Sequence, residues 1–210
     1  MEYFEKEATE WDMDPIRIGC ARAVAAAIKR RVPLTPDMRA LEYGCGTGLV
    51  SFGLQPYLHH ITMADRSSGM LEVLKEKIEL NRIGNMTLIK LDLDNDPLPA
   101  ERYDLIYTSM TLHHIPETEK ILQEFHDLLK TSGFLCIADL DKEDGSFHAN
   151  FPDFSGHNGF CRPELTEKLE KAGFRNINNA IVHQIIKETI SEEGKIKKSF
   201  PVFLMTAEKP

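Results

Sequence analysis

Short apolar runs alternate with stretches of helical periodicity along most of the chain. A short apolar run predicts a buried strand, whereas apolar residues that recur every three or four positions predict an amphipathic helix. Residues 14–31 form the first predicted helix, which ends before Pro33. From residue 39 onward the alternation predicts βαβ units and a parallel sheet. The predicted strands are residues 39–43, 61–64, 87–91, 103–108 and 134–138, and the helices between them are 49–58, 69–83 and 117–130.

The pattern changes after residue 138. Residues 162–172 predict a helix with Pro163 in its first turn and Gly173 at its end. Two strands, residues 179–187 and 199–207, then follow without a helix, which predicts an antiparallel hairpin joined through residues 191–195. Residues 141–161 show no period, and a loop of that length in a compact domain is usually functional.

Composition bounds the class of protein. A chain of 210 residues with 42% apolar content suits one α/β domain over residues 1–210. Within it we expect residues 1–34 to form an N-terminal helical cover and residues 140–161 a loop on the substrate side. The formal net charge of -8 disfavours nucleic acid as a partner and favours a small-molecule substrate.

The cysteine pattern and the N-terminus bear on location. The four cysteines are scattered, which is typical of a reduced, intracellular protein. The first residues are too polar for a signal peptide, and no apolar run reaches the length of a bilayer span. We therefore expect a cytoplasmic protein without a membrane partner, and a homodimer stays open.

Three glycines occupy alternate positions between the first predicted strand and the following helix: Gly44, Gly46 and Gly48. Glycine permits a sharp turn and a close approach of the backbone to a ligand. Amides at a helix start also bind a carboxylate or a phosphate. An ordinary strand-to-helix turn uses glycine too, so the loop alone leaves both interpretations open.

Two later strand ends favour a ligand. Asp65 closes the second predicted strand, where a carboxylate can accept hydrogen bonds from both ribose hydroxyls. Asp92 ends the third, with Leu93 beside it, in positions suited to an adenine amino group and ring. Either aspartate alone is also a common turn former. Together the three strand ends predict an adenosine-type ligand.

The runs LEYGCGTG, ADRSSGML, KLDLDN and YDLIYTSMTLHHI resemble, in order and spacing, the first four motifs of class I S-adenosylmethionine-dependent methyltransferases. The resemblance covers nearly the whole chain, including residues 3–12 and 157–160. It implies an α/β, Rossmann-like, seven-stranded sheet of order 3-2-1-4-5-7-6, with strand 7 antiparallel and helices on both faces. It also implies methyl transfer from S-adenosylmethionine to a small molecule, with S-adenosylhomocysteine as product.

The resemblance further assigns contacts to the cofactor. Glu42 orients the loop and the methionyl amine, Thr108 offers backbone to that amine, and Asp65 binds the ribose. Arg66 departs from the family, which more often has an apolar residue there, and is expected to stack on the adenine. The implied contacts are Glu42, Gly44, Cys45, Gly46, Asp65, Arg66, Met70, Asp92, Leu93 and Thr108.

Three other functions compete with this interpretation. A dehydrogenase fingerprint reads G-x-G-x-x-G, but here Leu49 stands at the third glycine position. A non-catalytic cofactor binder would hold the cofactor and turn over nothing. A protein or RNA methyltransferase is disfavoured by the acidic charge and by the absence of an Asn-Pro-Pro-Tyr-type motif after the fourth strand.

His113 and His114 follow the fourth strand, the position that faces the transferable methyl group in the family. We select His114 as the residue that holds or deprotonates the acceptor, since histidine titrates near neutral pH. Packing against the cofactor is the alternative role for the pair. Asp139 and His157 are comparable candidates.

No residue set has the spacing of a metal site, so the sequence predicts none. The acidic run that contains Asp141, Glu143 and Asp144 is typical of a solvated loop face. His59 and His60 lack a partner at zinc spacing. Three aromatic residues near the N-terminus either close over the cofactor or anchor the first helix: Tyr3, Phe4 and Trp11.

Overall fold

The computed structural model describes residues 2–93, 95–151, 154–191 and 194–210. Strands and helices alternate from residue 39 onward, as the apolar pattern predicts. The strands of this part of the chain are β1 (Arg39–Tyr43), β2 (His60–Asp65), β3 (Met86–Lys90), β4 (Tyr103–Ser109), β5 (Leu129–Leu140), β6 (Arg175–Ser191) and β7 (Gly194–Glu208). Its helices are α1 (Glu2–Glu7), α2 (Pro15–Arg31), α3 (Leu49–Leu54), α4 (Ser68–Leu80), α5 (Thr118–Leu128) and α6 (Arg162–Lys171).

These strands form one seven-stranded sheet in the order β3-β2-β1-β4-β5-β7-β6. Neighbouring strands from β3 to β5 run parallel, whereas β7 runs antiparallel to both β5 and β6. Strand order and strand direction both confirm the fold that the sequence predicts. The winding direction changes between β1 and β4, and ligands of such sheets bind in the crevice at the carboxyl ends of the strands there.

Helices cover both faces of the sheet. On one face α2, α3 and α4 contribute Val24, Val50 and Leu74 to a common core. On the other face α5 and α6 contribute Phe125 and Leu169 to a second core. The two cores fix the sheet between the helical layers, so the strand ends that form the crevice are held on a rigid base.

Helix α2 begins after Asp14, whose carboxylate accepts a hydrogen bond from the N–H of Ile16 (2.8 Å) and so caps the helix. Its last turn carries Lys29, Arg30 and Arg31, whose charges complement the helix dipole. Among the helices in the described ranges, none is both long enough and apolar enough to cross a bilayer.

Two boundaries that bear on the site differ from the prediction. Helix α3 ends at Leu54 and tightens into a 3₁₀ turn, Gln55–Tyr57, because Pro56 has no N–H to continue the helix. Strand β3 ends at Lys90, so Asp92 lies two residues beyond the strand rather than at its end.

The C-terminal hairpin is longer than the apolar pattern predicts. β6 and β7 extend to residues 191 and 194, and their outer part pairs charged residues such as Glu188 opposite Lys197. Ile186 on this arm is 57% exposed. Because Glu188, Ile196 and Lys197 are all exposed, this outer part lacks the alternation that marks a half-buried strand. Of the predicted connection, residues 191–195, Ser191 ends β6 and Gly194 begins β7, whereas Glu192 and Glu193 lie outside the described residues.

Candidate active site

The glycine loop lies at the crevice between β1 and α3. Gly44, Gly46 and Gly48 have φ angles of +69°, +51° and +81°, a region that residues with a Cβ rarely adopt. The side chain of Thr111 packs against Gly44 so closely that a Cβ there would overlap it. A Cβ on Gly46 would instead reach only van der Waals contact, 3.9 Å from Met70 Sδ. Gly44 is therefore required by packing, whereas Gly46 keeps a groove clear.

Asp65 joins the end of β2 to this loop. Its Oδ2 accepts a hydrogen bond from the Gly46 N–H (2.7 Å), and its Oδ1 accepts one from the Ser67 N–H (2.8 Å). Burial raises the pKa of this carboxyl, and the backbone N–H groups of Ser67 and Gly46 oppose that shift. Each carboxylate oxygen has a second lone pair beyond the bond it accepts, so both can still receive a ligand hydroxyl.

Glu42 lies beneath the loop on β1 and is 2% exposed. Its carboxyl accepts a hydrogen bond from Ser51 Oγ, which also pairs with the Tyr107 hydroxyl. Burial raises the pKa of Glu42 to about 8, the nearby Asp65 adds to the shift, and the Ser51 hydrogen bond opposes it. Glu42 is therefore mainly protonated near neutral pH in the cofactor-free protein.

The raised pKa of Glu42 makes stability depend on pH. The folded state holds this proton more tightly than the unfolded chain does, so the proton stabilises the fold. This stabilisation is full below pH 4.5 and is lost as pH rises towards 8. Glu42→Gln keeps an oxygen for Ser51 but cannot ionise. We expect the difference in free energy of unfolding, variant minus parent, to rise by up to about 1.4 kcal/mol per pH unit across this window. Urea unfolding at pH 5, 6.5 and 8 measures the difference, and a pH-independent difference would contradict the assignment.

The remaining predicted cofactor contacts occupy different environments. Met70 is buried beside Gly46, and Cys45 is buried with its N–H bonded to the Ala64 carbonyl (3.0 Å). Thr108 lies in β4, and its Oγ1 is a buried atom with no hydrogen-bond partner in the described part of the chain. Arg66 follows Asp65 and is half-buried. These positions surround the loop.

Asp92 and Leu93 lie in the connection after β3. Asp92 Oδ2 accepts a hydrogen bond from Asn95 Nδ2 (3.1 Å). Leu93 is 1% exposed, and its N–H donates to the Tyr43 hydroxyl (3.1 Å). Tyr43 thus ties the third strand end to the first, which brings the three predicted strand ends to one crevice.

The N-terminal segment lies over this crevice. The Glu5 carboxylate accepts hydrogen bonds from the N–H groups of Ser68 (2.9 Å) and Gly69 (2.7 Å), where α4 begins. Asp12 accepts hydrogen bonds from Thr47 in the glycine loop and from Lys77 in α4. No sequence spacing indicates these contacts, since the partners are far apart along the chain.

Aromatic rings connect that segment to the far side of the crevice. The Trp11 indole Nε1 lies 4.0 Å from the position of a Cβ on Gly46. The Phe4 ring contacts both Trp11 (centroids 5.7 Å apart) and His114 (5.3 Å). Tyr3 packs edge-on against Phe151 (4.8 Å), a residue of the irregular loop. The rings therefore span from the glycine loop to the histidines.

His113 is held by Asp139, which is completely buried at the end of β5. His113 Nδ1 lies 2.6 Å from Asp139 Oδ1, and the same carboxyl accepts hydrogen bonds from the N–H groups of His113 (3.2 Å) and Leu140 (2.7 Å). This contact places the proton on Nδ1 and leaves Nε2 of His113 as an acceptor.

His114 lies beside His113, with ring centroids 4.1 Å apart. Burial, together with the neighbouring His113, His148 and Arg66, lowers the pKa of His114 to about 2. A general base works best with a pKa near the working pH, so His114 is a weak base in this state. His148, which the sequence analysis did not single out, joins the pair from the irregular loop.

The other polar candidates have structural partners. His157 Nε2 lies 3.0 Å from the Ile115 carbonyl and 3.2 Å from Thr118 Oγ1. Asp141 pairs with Arg162 (2.9 Å). Asp144 pairs with Lys198 (2.5 Å). The acidic run therefore forms ion pairs on the surface of the loop rather than a cluster of carboxylates.

Comparisons with known proteins agree with this geometry. A protein-family model described as "Methyltransferase domain" matches residues 40–133. An uncharacterized methyltransferase of Schizosaccharomyces pombe is 31% identical over 153 residues, which cover 66% of this chain and 54% of that protein. The ubiquinone/menaquinone biosynthesis C-methyltransferase UbiE of Campylobacter jejuni is 29% identical over 143 residues, covering 64% of this chain and 56% of that protein. The chain thus spans about half the length of these curated relatives.

Solved structures share the fold. Phosphoethanolamine N-methyltransferase 2 of Haemonchus contortus, in complex with S-adenosyl-L-methionine, superposes with a TM-score of 0.71 at 15% identity over 99% of this chain and 60% of that one. The sheet order and the crevice define a Rossmann-like methyltransferase fold. With the matched domain, this confirms the predicted resemblance to the class I S-adenosylmethionine-dependent methyltransferases.

Proposed function

We propose that the chain binds S-adenosylmethionine at the carboxyl ends of β1, β2 and β4 and transfers its methyl group to a small-molecule acceptor. The observation that carries the proposal is the Asp65 carboxylate, which holds the Gly46 N–H at 2.7 Å beside a groove that a Cβ would fill. This arrangement joins an acceptor for ribose hydroxyls to a loop that a ligand can approach closely.

The residues around the loop fit the parts of this cofactor. Asp65 has a free lone pair on each oxygen for the two ribose hydroxyls. Buried Glu42 lies under the loop, where ionisation would be favoured by a ligand ammonium group. Thr108 Oγ1, which has no hydrogen-bond partner among the described residues, is a polar atom that a ligand can satisfy. Met70 offers an apolar surface next to Gly46.

Bound at this loop, the cofactor supplies an electrophilic methyl carbon on a sulfonium, which an acceptor lone pair takes as the carbon–sulfur bond breaks. The chain aligns the acceptor with the methyl carbon, and such alignment can lower the activation barrier by about 7 to 11 kcal/mol. Residues 1–34 act as the helical cover, since Phe4 and Trp11 lie over the crevice. Residues 140–161 act as the substrate-side loop, and His114 faces the acceptor between these two segments.

A small acceptor is favoured over a macromolecule. The aromatic rings of Tyr3, Phe4 and Phe151 narrow the approach to His114. The formal net charge of -8 disfavours RNA. Formation of S-adenosylhomocysteine with a small acceptor tests this proposal against a cofactor binder, which would hold the cofactor without turnover.

Trp11 is the only tryptophan of the chain, and its position gives a direct optical test. Because its Nε1 faces the groove at Gly46, we expect S-adenosylhomocysteine to quench its emission with a saturable dependence on concentration. The Asp65→Ala variant, which keeps Trp11, serves as the control and should show no quenching at the same concentrations. Calorimetric binding without any change in emission would show that the N-terminal segment does not cover the occupied site.

A further inference from the structure

Three imidazole rings meet beside the proposed methyl-transfer site. One potential ligand atom from each of His113, His114 and His148 lies within 4.8 Å of the other two. Ring centroids are 4.1 Å apart for His113 and His114, and 5.1 Å apart for His113 and His148. Two separate segments supply these rings, the turn after β4 and the 3₁₀ turn Ser146–His148. Methyl transfer by alignment alone does not require such a cluster.

Asp139 orients one of the three rings. Its carboxylate lies 2.6 Å from His113 Nδ1 and is completely buried. A carboxylate on the far nitrogen of a histidine is the usual outer-shell partner of a metal ligand, because it fixes the tautomer and raises the basicity of the other nitrogen. His113 Nε2 is thus prepared to donate a lone pair.

His148 provides an independent indication of a missing partner. The residue is 9% exposed, and its Nδ1 is buried without a hydrogen-bond partner in the described part of the chain. The ring is held by Phe154, which stacks on it at 3.7 Å with an interplanar angle of 8°. Buried polar atoms are nearly always paired, so a rigid ring with an unpaired nitrogen points to a ligand.

We propose that His113, His114 and His148 bind one divalent first-row transition metal ion, with Zn²⁺ as the preferred ion. Neutral imidazole suits such ions, whereas Mg²⁺ and Ca²⁺ prefer oxygen ligands. Tetrahedral Zn²⁺ with bonds of about 2.0–2.1 Å needs ligand nitrogens about 3.4 Å apart. The candidate ligand atoms lie within 4.8 Å of one another, so side-chain rotation has to bring each pair closer by about 1.4 Å or less.

Three protein ligands leave the fourth position of a tetrahedral ion free. Phe4 contacts His114 on one side and Trp11, at the glycine loop, on the other. The ion therefore lies on the acceptor side of the crevice, where it binds an ionised oxygen or sulfur of the acceptor and lowers the pKa of that group. This role rests on the proposed methyl transfer, whereas metal binding itself does not.

The test is titration of the EDTA-treated full chain with Co²⁺, followed by visible absorption, and with Zn²⁺ in competition. We expect one equivalent of Co²⁺ with the intense bands of a tetrahedral site, displaced by Zn²⁺. His148→Phe keeps a ring to stack on Phe154 but removes the nitrogen, so the bands should disappear. Asp139→Asn should weaken binding by about 10- to 100-fold. His59→Ala, at an exposed histidine, should bind as the parent does.

Two results would overturn the proposal. One is the absence of a tetrahedral Co²⁺ spectrum in the parent, and the other is an unchanged spectrum in His148→Phe. Quenching of Trp11 by S-adenosylhomocysteine is measured in the same samples. Quenching without a cobalt spectrum refutes the metal site and leaves the cofactor site in place, and the reverse result refutes only the cofactor site.

Discussion

Asp65→Ala is expected to weaken S-adenosylhomocysteine binding by about 100-fold or more. Two hydrogen bonds from ribose hydroxyls to a carboxylate are lost, and bonds to a charged group contribute about 1.5–3 kcal/mol each. The Gly46 N–H also loses its acceptor, so the loop is held less firmly. Isothermal titration calorimetry of the parent and the variant at pH 7.5 measures the difference.

Two variants separate this effect from general damage. Asp65→Asn keeps one oxygen acceptor and should fall between the parent and Asp65→Ala. Asp37→Ala, at an exposed carboxylate outside the crevice, should bind with parental affinity. A folded Asp65→Ala protein that binds as tightly as the parent would refute the ribose assignment. Saturable NAD binding in place of S-adenosylhomocysteine binding would revive the dehydrogenase alternative.

Gly44→Ala should lower the free energy of unfolding by about 2–5 kcal/mol. The left-handed backbone conformation costs a residue with a Cβ about 1–2 kcal/mol. The new methyl group also overlaps the Thr111 side chain, and overpacking typically costs about 1–3 kcal/mol more. Urea unfolding, followed by far-UV circular dichroism, measures the change.

Gly46→Ala is the matched control for this prediction. Its φ angle is also positive, but its Cβ meets Met70 at an ordinary 3.9 Å, so we expect only about 1–2 kcal/mol of destabilisation. The methyl group occupies the groove, so cofactor affinity should fall sharply despite the retained fold. In Gly44→Ala/Thr111→Gly the steric part of the loss should be recovered. Equal stability losses in the two single variants, with no recovery in the double variant, would contradict the packing argument.

The centre of the sheet could be predicted because β1, β2 and β4 are short and largely buried. The predicted bounds of β1, Arg39–Tyr43, agree with the observed ones, since Pro36 and Gly44 bracket a short segment that contains Ala40 and Leu41. The predicted hairpin is too short because residues of its outer arm such as Glu188 and Ile196 are exposed and leave no apolar pattern. The strand order came from the family resemblance rather than from any local pattern, since periodicity does not specify which strands are neighbours.

The candidate site could be predicted where neighbouring strand ends supply its residues. The glycine loop and Asp65 belong to adjacent strand ends, so topology alone brings them together. His148 was not predictable, because it lies in an aperiodic loop far from His113 along the chain, and only packing onto Phe154 brings it there. For the same reason the sequence leaves two roles open for Trp11, closure over the cofactor and anchoring of the first helix, and only the fold places it at the groove.

The low pKa of His114 changes the role that the sequence assigned to it. Sequence position indicates that a histidine faces the acceptor, but the burial and neighbouring positive charge that weaken it as a base arise only in the fold. The proposed role of His114 therefore rests on contact with the acceptor side rather than on proton abstraction.

A crystal structure of the chain with S-adenosylhomocysteine tests directly whether the cofactor binds at the glycine loop. We predict that both ribose hydroxyls lie within hydrogen-bond distance of the Asp65 carboxylate and that the methionine part follows Gly44 to Gly46. Electron density for the ligand at any other place, with the glycine loop and Asp65 unchanged from the ligand-free structure, would contradict a cofactor site at this loop.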